Sequence, residues 1–145
     1  MRFLILLGIL YGIAPVSGML YFDEATTLFR KRRFSEAFLC LRRSTQADSL
    51  PGLLLHGRIL AAIGNKTGAL TVLRRALVLD PGHPSALRLA ARCLLALRRP
   101  GEAAVLIGSL LALRPDDRQG ILLAARAAAF LVRYKEALAF CRRYN

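Results

Sequence analysis

The stretch from Leu53 to Pro81, LLLHGRILAAIGNKTGALTVLRRALVLDP, decides the fold of this chain. It holds two apolar segments with helical spacing, and the Gly- and Asn-containing run from Gly64 to Gly68 separates them. Pro81 ends the second segment because proline cannot continue a helix. The stretch therefore predicts two helices joined by a short turn.

The same pattern returns along the chain at a fixed interval. Pro81 recurs as Pro115, which sets a period of 34. A fixed period of 34 with two helices per unit is typical of a helical repeat array. Small residues keep the interval in both helices of the unit: Gly57, Ala91 and Ala125 in the first, and Ala69, Ala103 and Ala137 in the second. Ala37 comes 32 residues before Ala69, so the first unit is two residues shorter.

This pattern resembles the tetratricopeptide repeat (TPR) family. The resemblance rests on the small residues above, on Gly64, on LDP at Leu79–Pro81 and LRP at Leu113–Pro115, and on FSEA at 34–37 and YKEA at 134–137. It covers about residues 19–145. The chain departs from the family where the usual early Trp is Leu53, Leu87 or Ile121, and where the usual Tyr is Leu60, Leu94 or Ala128.

The resemblance implies an all-α fold, a right-handed α-solenoid of stacked antiparallel helix pairs with about 3.5 to 4 repeats. The expected units are about 19–49, 50–83, 84–117 and 118–145. Asp116 and Asp117 are candidate N-caps of the fourth unit. We expect the second helix of that unit to start near Lys135.

The segment 1–18 has the three parts of a secretory signal peptide. Arg2 precedes the apolar run Phe3–Ala14, and Val16 and Gly18 are the small residues before a cleavage point. This predicts an exported protein, secreted or periplasmic, whose mature chain starts at Met19. Two alternatives stay open: an uncleaved membrane anchor over Phe3–Phe22, and a packed helix of a cytoplasmic protein.

Charge and composition point to a binding function. The chain has 22 Lys and Arg against 9 Asp and Glu, for a net charge of +13, which favours an anionic partner. No catalytic motif and no phosphate-binding loop occurs, so we predict no enzyme activity and no cofactor. We predict no metal site either, because Cys40, Cys93 and Cys141 form no CxxC pair and suit buried packing positions. Asn65 begins an N-x-T sequon whose use the sequence leaves open.

Arginine is the residue type that suggests a site. Arg58, Arg92 and Arg126 recur at the repeat interval, each directly after the small residue of its first helix. Equivalent positions of stacked units align on one face, and the TPR resemblance places them on the concave groove. Arg88 precedes Arg92 by one helical turn and shares its helix face. The predicted peptide-binding set is Arg58, Arg88, Arg92, Arg126, Leu54, Leu95 and Leu122.

Such a groove suits an acidic or amphipathic peptide, since arginine pairs bidentately with carboxylates. The sequence therefore predicts a non-catalytic protein–protein interaction scaffold. Alternatives are a small cytosolic TPR chaperone of a bacterial secretion system and a basic nucleic-acid-binding repeat, the latter less favoured because RNA-binding motifs and interleaved aromatics are missing. The resemblance also implies that the family's carboxylate clamp is missing, since Leu54 with Arg58, Leu89, and Gln119 with Leu123 stand in its places. Without a polar capping helix, we expect the C-terminal end to expose apolar surface that meets a partner or, by self-association, a second copy; alternatively the chain is a shortened member of a longer array.

Overall fold

A computed structural model describes residues 14–144, with side chains described for 18–133 and Lys135. These residues form seven helices and no strand. The helices are α1 (Ala14–Arg30), α2 (Phe34–Arg43), α3 (Leu50–Ala62), α4 (Lys66–Leu79), α5 (Pro84–Ala96), α6 (Pro100–Leu113) and α7 (Arg118–Tyr144).

The helices stack as consecutive pairs. α1 packs on α2, α3 on α4, and α5 on α6, while the first helices touch in sequence, α1 with α3, α3 with α5, and α5 with α7. The recurring small residues lie where the helices cross: Ala25, Ala37, Ala69, Ala91 and Ala103 have no exposed surface. A methyl group or less at these crossings lets the backbones approach closely. The predicted all-α solenoid of helix pairs is confirmed.

Turns and caps mark the unit boundaries. The turn inside each of the three pairs contains one residue in the left-handed region: Arg32 (φ 60°), Gly64 (φ 91°) and Arg98 (φ 60°). Side chains cap the helix that follows in several places. The Asn65 Oδ1 atom accepts a hydrogen bond from the Gly68 amide at 2.9 Å, and Asp117 Oδ1 accepts one from the Gly120 amide at 2.8 Å. The predicted cap at Asp117 is therefore present.

The fourth unit differs from its predicted form. α7 is one continuous helix of 27 residues, so the break expected before Lys135 does not occur. Val132 stands at the position that Gly64 and Arg98 hold in the two preceding units. A β-branched residue strongly disfavours positive φ, and the helix runs on instead of turning.

The amino-terminal helix also starts earlier than Met19, the predicted start of the mature chain. α1 begins at Ala14, and Gly18 is buried within it, where its carbonyl oxygen accepts a hydrogen bond from Ser44 Oγ at 3.0 Å. Residues 1–13, which carry most of the predicted signal or anchor segment, lie outside the described residues. In the part of the chain that is described, no helix is both long enough and apolar enough to cross a membrane.

Candidate peptide-binding face

Three equivalent arginines are exposed on the first helices of consecutive units. Arg58 lies on α3, Arg92 on α5 and Arg126 on α7, each directly after the small residue that recurs in its helix. Because these helices contact one another in sequence, the three positions lie along one side of the stack. Among the described side chains, no carboxylate forms an ion pair with any of the three.

Arg58 is held in place by an aromatic ring from the preceding unit. Its guanidinium carbon lies 4.8 Å from the centroid of the Phe29 ring on α1. Phe29 is half-buried and makes a tilted contact with Phe34, with 5.6 Å between ring centroids. A cation–π contact of this kind contributes about 0.5–1 kcal/mol at an exposed site. A guanidinium stacked by its face keeps its N–H edge free to donate to a carboxylate.

Sequence reasoning missed Phe29, although a signal was present. Ala61, Leu95 and Ala129 each follow one of the three arginines by three residues, which puts them on the same helix face. Phe29 precedes Ala61 by the same shortened interval that separates Ala37 from Ala69, so it occupies the same register in α1. A search at that shorter interval would have found it.

Arg88 is engaged with its own chain, contrary to its predicted place among the free ligands of the groove. Its Nη1 atom lies 3.6 Å from Asp117 Oδ2 and 3.4 Å from Gln119 Oε1, and its Nε donates to the Pro84 carbonyl at 3.3 Å. The Asp117 side chain is 7% exposed. This pair ties α5 to the start of α7, which makes Arg88 a structural connector.

The three predicted leucines lie in different environments. Leu122 is 63% exposed on α7, whereas Leu54 is half-buried against the core. Leu95 is only 3% exposed and belongs to the main core cluster, so its predicted place in the groove is wrong. We use the name first-helix face for the surface made by Arg58, Arg92, Arg126, Phe29, Leu54 and Leu122.

Three of the acidic residues pair with arginines of the second helices and turns. Asp48 accepts from Arg75 at 2.8 Å, and Glu102 accepts from Arg99 Nε at 2.6 Å, on surfaces that belong to the second helices and turns. Glu36 pairs with Arg33 at the turn that follows α1. None of these three carboxylates pairs with Arg58, Arg92 or Arg126.

The titratable core groups suit packing better than chemistry. Burial raises the pKa of the Cys93 thiol and of the Cys40 thiol, so both stay protonated and poorly nucleophilic near neutral pH. Burial, followed by the Arg75 charge, lowers the pKa of His56, whose ring lies 5.2 Å from that of Phe38. Among the described residues, no group of three His, Cys, Asp or Glu side chains could hold a metal ion.

Comparison with known proteins identifies the repeat. The family described as "Tetratricopeptide repeat" matches residues 60–127, which run from α3 into α7. A search of curated proteins finds no match. Residues 60–127 therefore match this family, and the helix-pair array of the described residues has the fold of solved TPR domains.

Solved structures with the same fold are distant in sequence. A double mutant of MamA RS-1 superposes with a TM-score of 0.75 at 21% identity, covering 82% of this chain and 68% of that chain. The first TPR of Spaghetti (RPAP3), bound to the HSP90 peptide SRMEEVD, gives 0.75 at 14% identity, with coverages of 81% and 95%. The second TPR domain of human RPAP3, in complex with the HSP70 peptide SGPTIEEVD, gives 0.69 at 17% identity, with coverages of 81% and 97%.

Proposed function

We propose that the chain is a non-catalytic interaction module that binds an acidic, partly apolar peptide segment on its first-helix face. The observation that carries the proposal is the row of three exposed arginines without carboxylate partners among the described residues. TPR domains are in general interaction modules, and two of the similar structures hold peptides that end in Glu-Glu-Val-Asp.

The face offers both kinds of contact that such a peptide needs. Its arginines present planar donor groups to carboxylates, and charge-assisted bonds of this type are about twice as strong as neutral ones. The exposed side chain of Leu122 and the half-buried Leu54 supply apolar surface on the same helices. Arg58 is pre-ordered by Phe29, so less side-chain entropy is lost when a ligand binds there.

Charge reversal tests the proposal. The variant R58E/R92E/R126E changes the net charge by the same amount as the control R42E/R43E/R114E, whose arginines are exposed at the ends of the second helices α2 and α6. The probe is a labelled peptide of Glu and Leu residues, compared with its Gln-for-Glu counterpart by fluorescence anisotropy. We expect the first variant to lose at least about tenfold in affinity, or about 1.4 kcal/mol, and the control to change by less than about threefold.

Equal binding of the probe by both variants would remove the first-helix face as the site. The same titration with a single-stranded oligonucleotide tests the nucleic-acid alternative, whose support is the net charge of +13. Nucleic-acid binding would give a steep loss of affinity with salt that does not distinguish the two variants.

We also propose that the protein is exported or membrane-anchored, on the strength of the apolar run Phe3–Ala14 and the small residues before Met19. Amino-terminal sequencing of the protein from its native host tests this. A start at Met19 supports cleavage, and an intact start in a soluble fraction supports the cytoplasmic alternative. Cleavage would also remove Gly18, the acceptor of the buried Ser44 hydroxyl, so α1 would have to readjust there.

Finally, we propose that the C-terminal end of the array takes part in self-association. The support is apolar side-chain surface on α7, where Ile121 and Val132 are 51% and 53% exposed. Sedimentation velocity over a range of concentrations tests this, and a sedimentation coefficient that stays monomeric throughout would contradict it.

A further inference from the structure

The last two helices enclose an open apolar groove. A cavity of about 240 Å³ lies between α6 and α7. Its walls are Ile107, Gly108 and Leu111 of α6, and Ala124, Ala128 and Leu131 of α7, which together define the terminal groove. Gly108 and Ala128 are exposed, although their neighbours Ile107 and Ala127 are buried. Part of an otherwise apolar, core-like surface is therefore open to solvent.

The same surface one unit earlier packs against α6, whose Glu102, Val105 and Leu106 line the groove of about 240 Å³ that remains there. Moving back by one period from the groove positions gives Leu73, Leu77, Ala90 and Leu94, among others, on α4 and α5. There Leu73 and Ala90 have no exposed surface and Leu94 is 2% exposed, because they pack in one cluster with Ala103 and Ile107 of α6. The terminal groove thus has the position and the apolar chemistry of a seat for a second helix.

The chain carries a segment with the sequence pattern of that missing helix. Residues 134–144 begin with YKEALAF, and Ala137 stands one full period after Ala103 of α6. In the structure this segment continues α7, which has 27 residues against 13 in α5. At 1.5 Å per residue α7 is about 40 Å long. A straight helix carries the segment along its own axis, and it cannot turn back antiparallel onto the groove of the same copy.

The turn position explains why the helix stays straight. The hairpins inside the first three units need a left-handed residue, held by Arg32, Gly64 and Arg98. Val132 takes this position in the fourth unit, where its branched Cβ makes positive φ costly. The following position is Asn65 in the second unit, where its side chain caps α4, and arginine in the other three units, Arg33, Arg99 and Arg133, so Val132 is the residue that distinguishes the fourth unit.

We propose that the terminal groove binds residues 134–144 of a second copy of this chain, and that two copies exchange these segments around a twofold axis near Val132. The inference rests on the self-association proposed above and names its partner and surface. The two α7 helices then lie antiparallel, in the same way that a first and second helix pair within a unit. Each copy completes the fourth unit of the other with the contacts that a hairpin would make, so the exchange forms the dimer at low energetic cost.

Blocking the groove tests the seat. A Cβ atom built on Gly108 meets no atom within 4 Å, so G108E leaves the fold of one copy intact while placing a charge in the groove. The control is S109E on the neighbouring exposed residue of α6. Sedimentation equilibrium of the full chains should give a dimer for the wild type and for S109E, with the dimer dissociation constant of G108E raised at least about tenfold. A monomeric wild type at the highest soluble concentration overturns the proposal.

Restoring the turn tests the exchange itself. The variant V132G/R133N places the Gly-Asn pair of the second unit at the equivalent site of the fourth. Its segment 134–144 should fold back onto its own groove, which gives a monomer whose helical circular dichroism matches that of the wild type. A variant that dimerises as tightly as the wild type overturns the exchange. A G108E protein that still dimerises as tightly as the wild type also overturns the exchange, and self-association would then use another surface. Neither outcome bears on peptide binding at Arg58, Arg92 and Arg126.

Discussion

Leu73 and Gly57 are in direct contact, and we expect the effect of Gly57→Ala on the free energy of unfolding to change sign when Leu73 is truncated to alanine. Leu73 of α4 has no exposed surface. A Cβ atom built on Gly57 of α3 lies 2.8 Å from Leu73 Cδ2 and 2.9 Å from its Cγ, well inside a normal carbon–carbon contact. The leucine side chain therefore fills the space that an alanine at position 57 would need.

The magnitudes follow from this geometry. Truncation by Leu73→Ala leaves a cavity and should lower the free energy of unfolding by about 2–5 kcal/mol. Gly57→Ala in the wild type gains about 1 kcal/mol of helix propensity but overpacks Leu73 at about 1–3 kcal/mol, so its net effect is neutral to destabilising. In the Leu73→Ala background the clash is gone. The new methyl then adds about 0.8 kcal/mol of burial to the propensity gain, and Gly57→Ala becomes stabilising by about 1–2 kcal/mol.

Urea unfolding of the four proteins, followed by helical circular dichroism, measures this cycle. We expect a coupling free energy of about 1–4 kcal/mol between these two residues, which are in direct contact. Gly101→Ala serves as the control, because a Cβ there meets nothing within 4 Å and its effect should be the same in both backgrounds. If Gly57→Ala has the same effect in both backgrounds, to within about 0.5 kcal/mol, the contact does not limit the packing of the second unit.

Three further predictions concern the second unit. Gly64→Ala should lower the free energy of unfolding by about 1–2 kcal/mol in urea titration, because Gly64 has φ 91° and L residues resist that conformation. Asn65→Ala should lower it by about 0.5–2 kcal/mol by removing the cap on the Gly68 amide, whereas Asn65→Asp should change it little. Burial lowers the pKa of His56, so the folded state binds a proton less readily than the unfolded state and stability rises with pH. Thermal melts from about pH 7.5 to about pH 5 should show a loss of stability that is smaller in His56→Gln.

The fold was predictable from sequence where every unit needs the same kind of residue at the same place. A helix crossing admits only a small side chain, so Gly57 recurs as Ala91 and Ala69 recurs as Ala103, and both intervals reveal the period. Turn and cap residues such as Gly64 and Asp117 act locally, through backbone conformation and one hydrogen bond, and could be placed from sequence for the same reason. These features gave the helix pairs and most of their boundaries.

The long helix α7 was missed because the prediction followed the period and neglected the local backbone. YKEA at 134–137 has the pattern of a second-helix start, but such a start also needs a preceding residue that accepts positive φ. Two arginines fill that place at positions 32 and 98 despite the strain, so the residue type alone does not decide it. Val132 is a worse candidate than arginine because of its branched Cβ, and there the helix continues.

The candidate site was predictable in register but not in environment. Arg58, Arg92 and Arg126 occupy equivalent positions. The residue that stacks on Arg58 comes from the first helix of the preceding unit, and we call its place in each unit the neighbour position. That neighbour position holds Phe29 for Arg58, Ala61 for Arg92 and the buried Leu95 for Arg126. Only the first is an aromatic face, so only Arg58 gains from it a stacking partner that orders its guanidinium. The repeat therefore aligns three equal charges, while the residue at the neighbour position, different in every unit, decides how rigidly each charge is presented to a ligand.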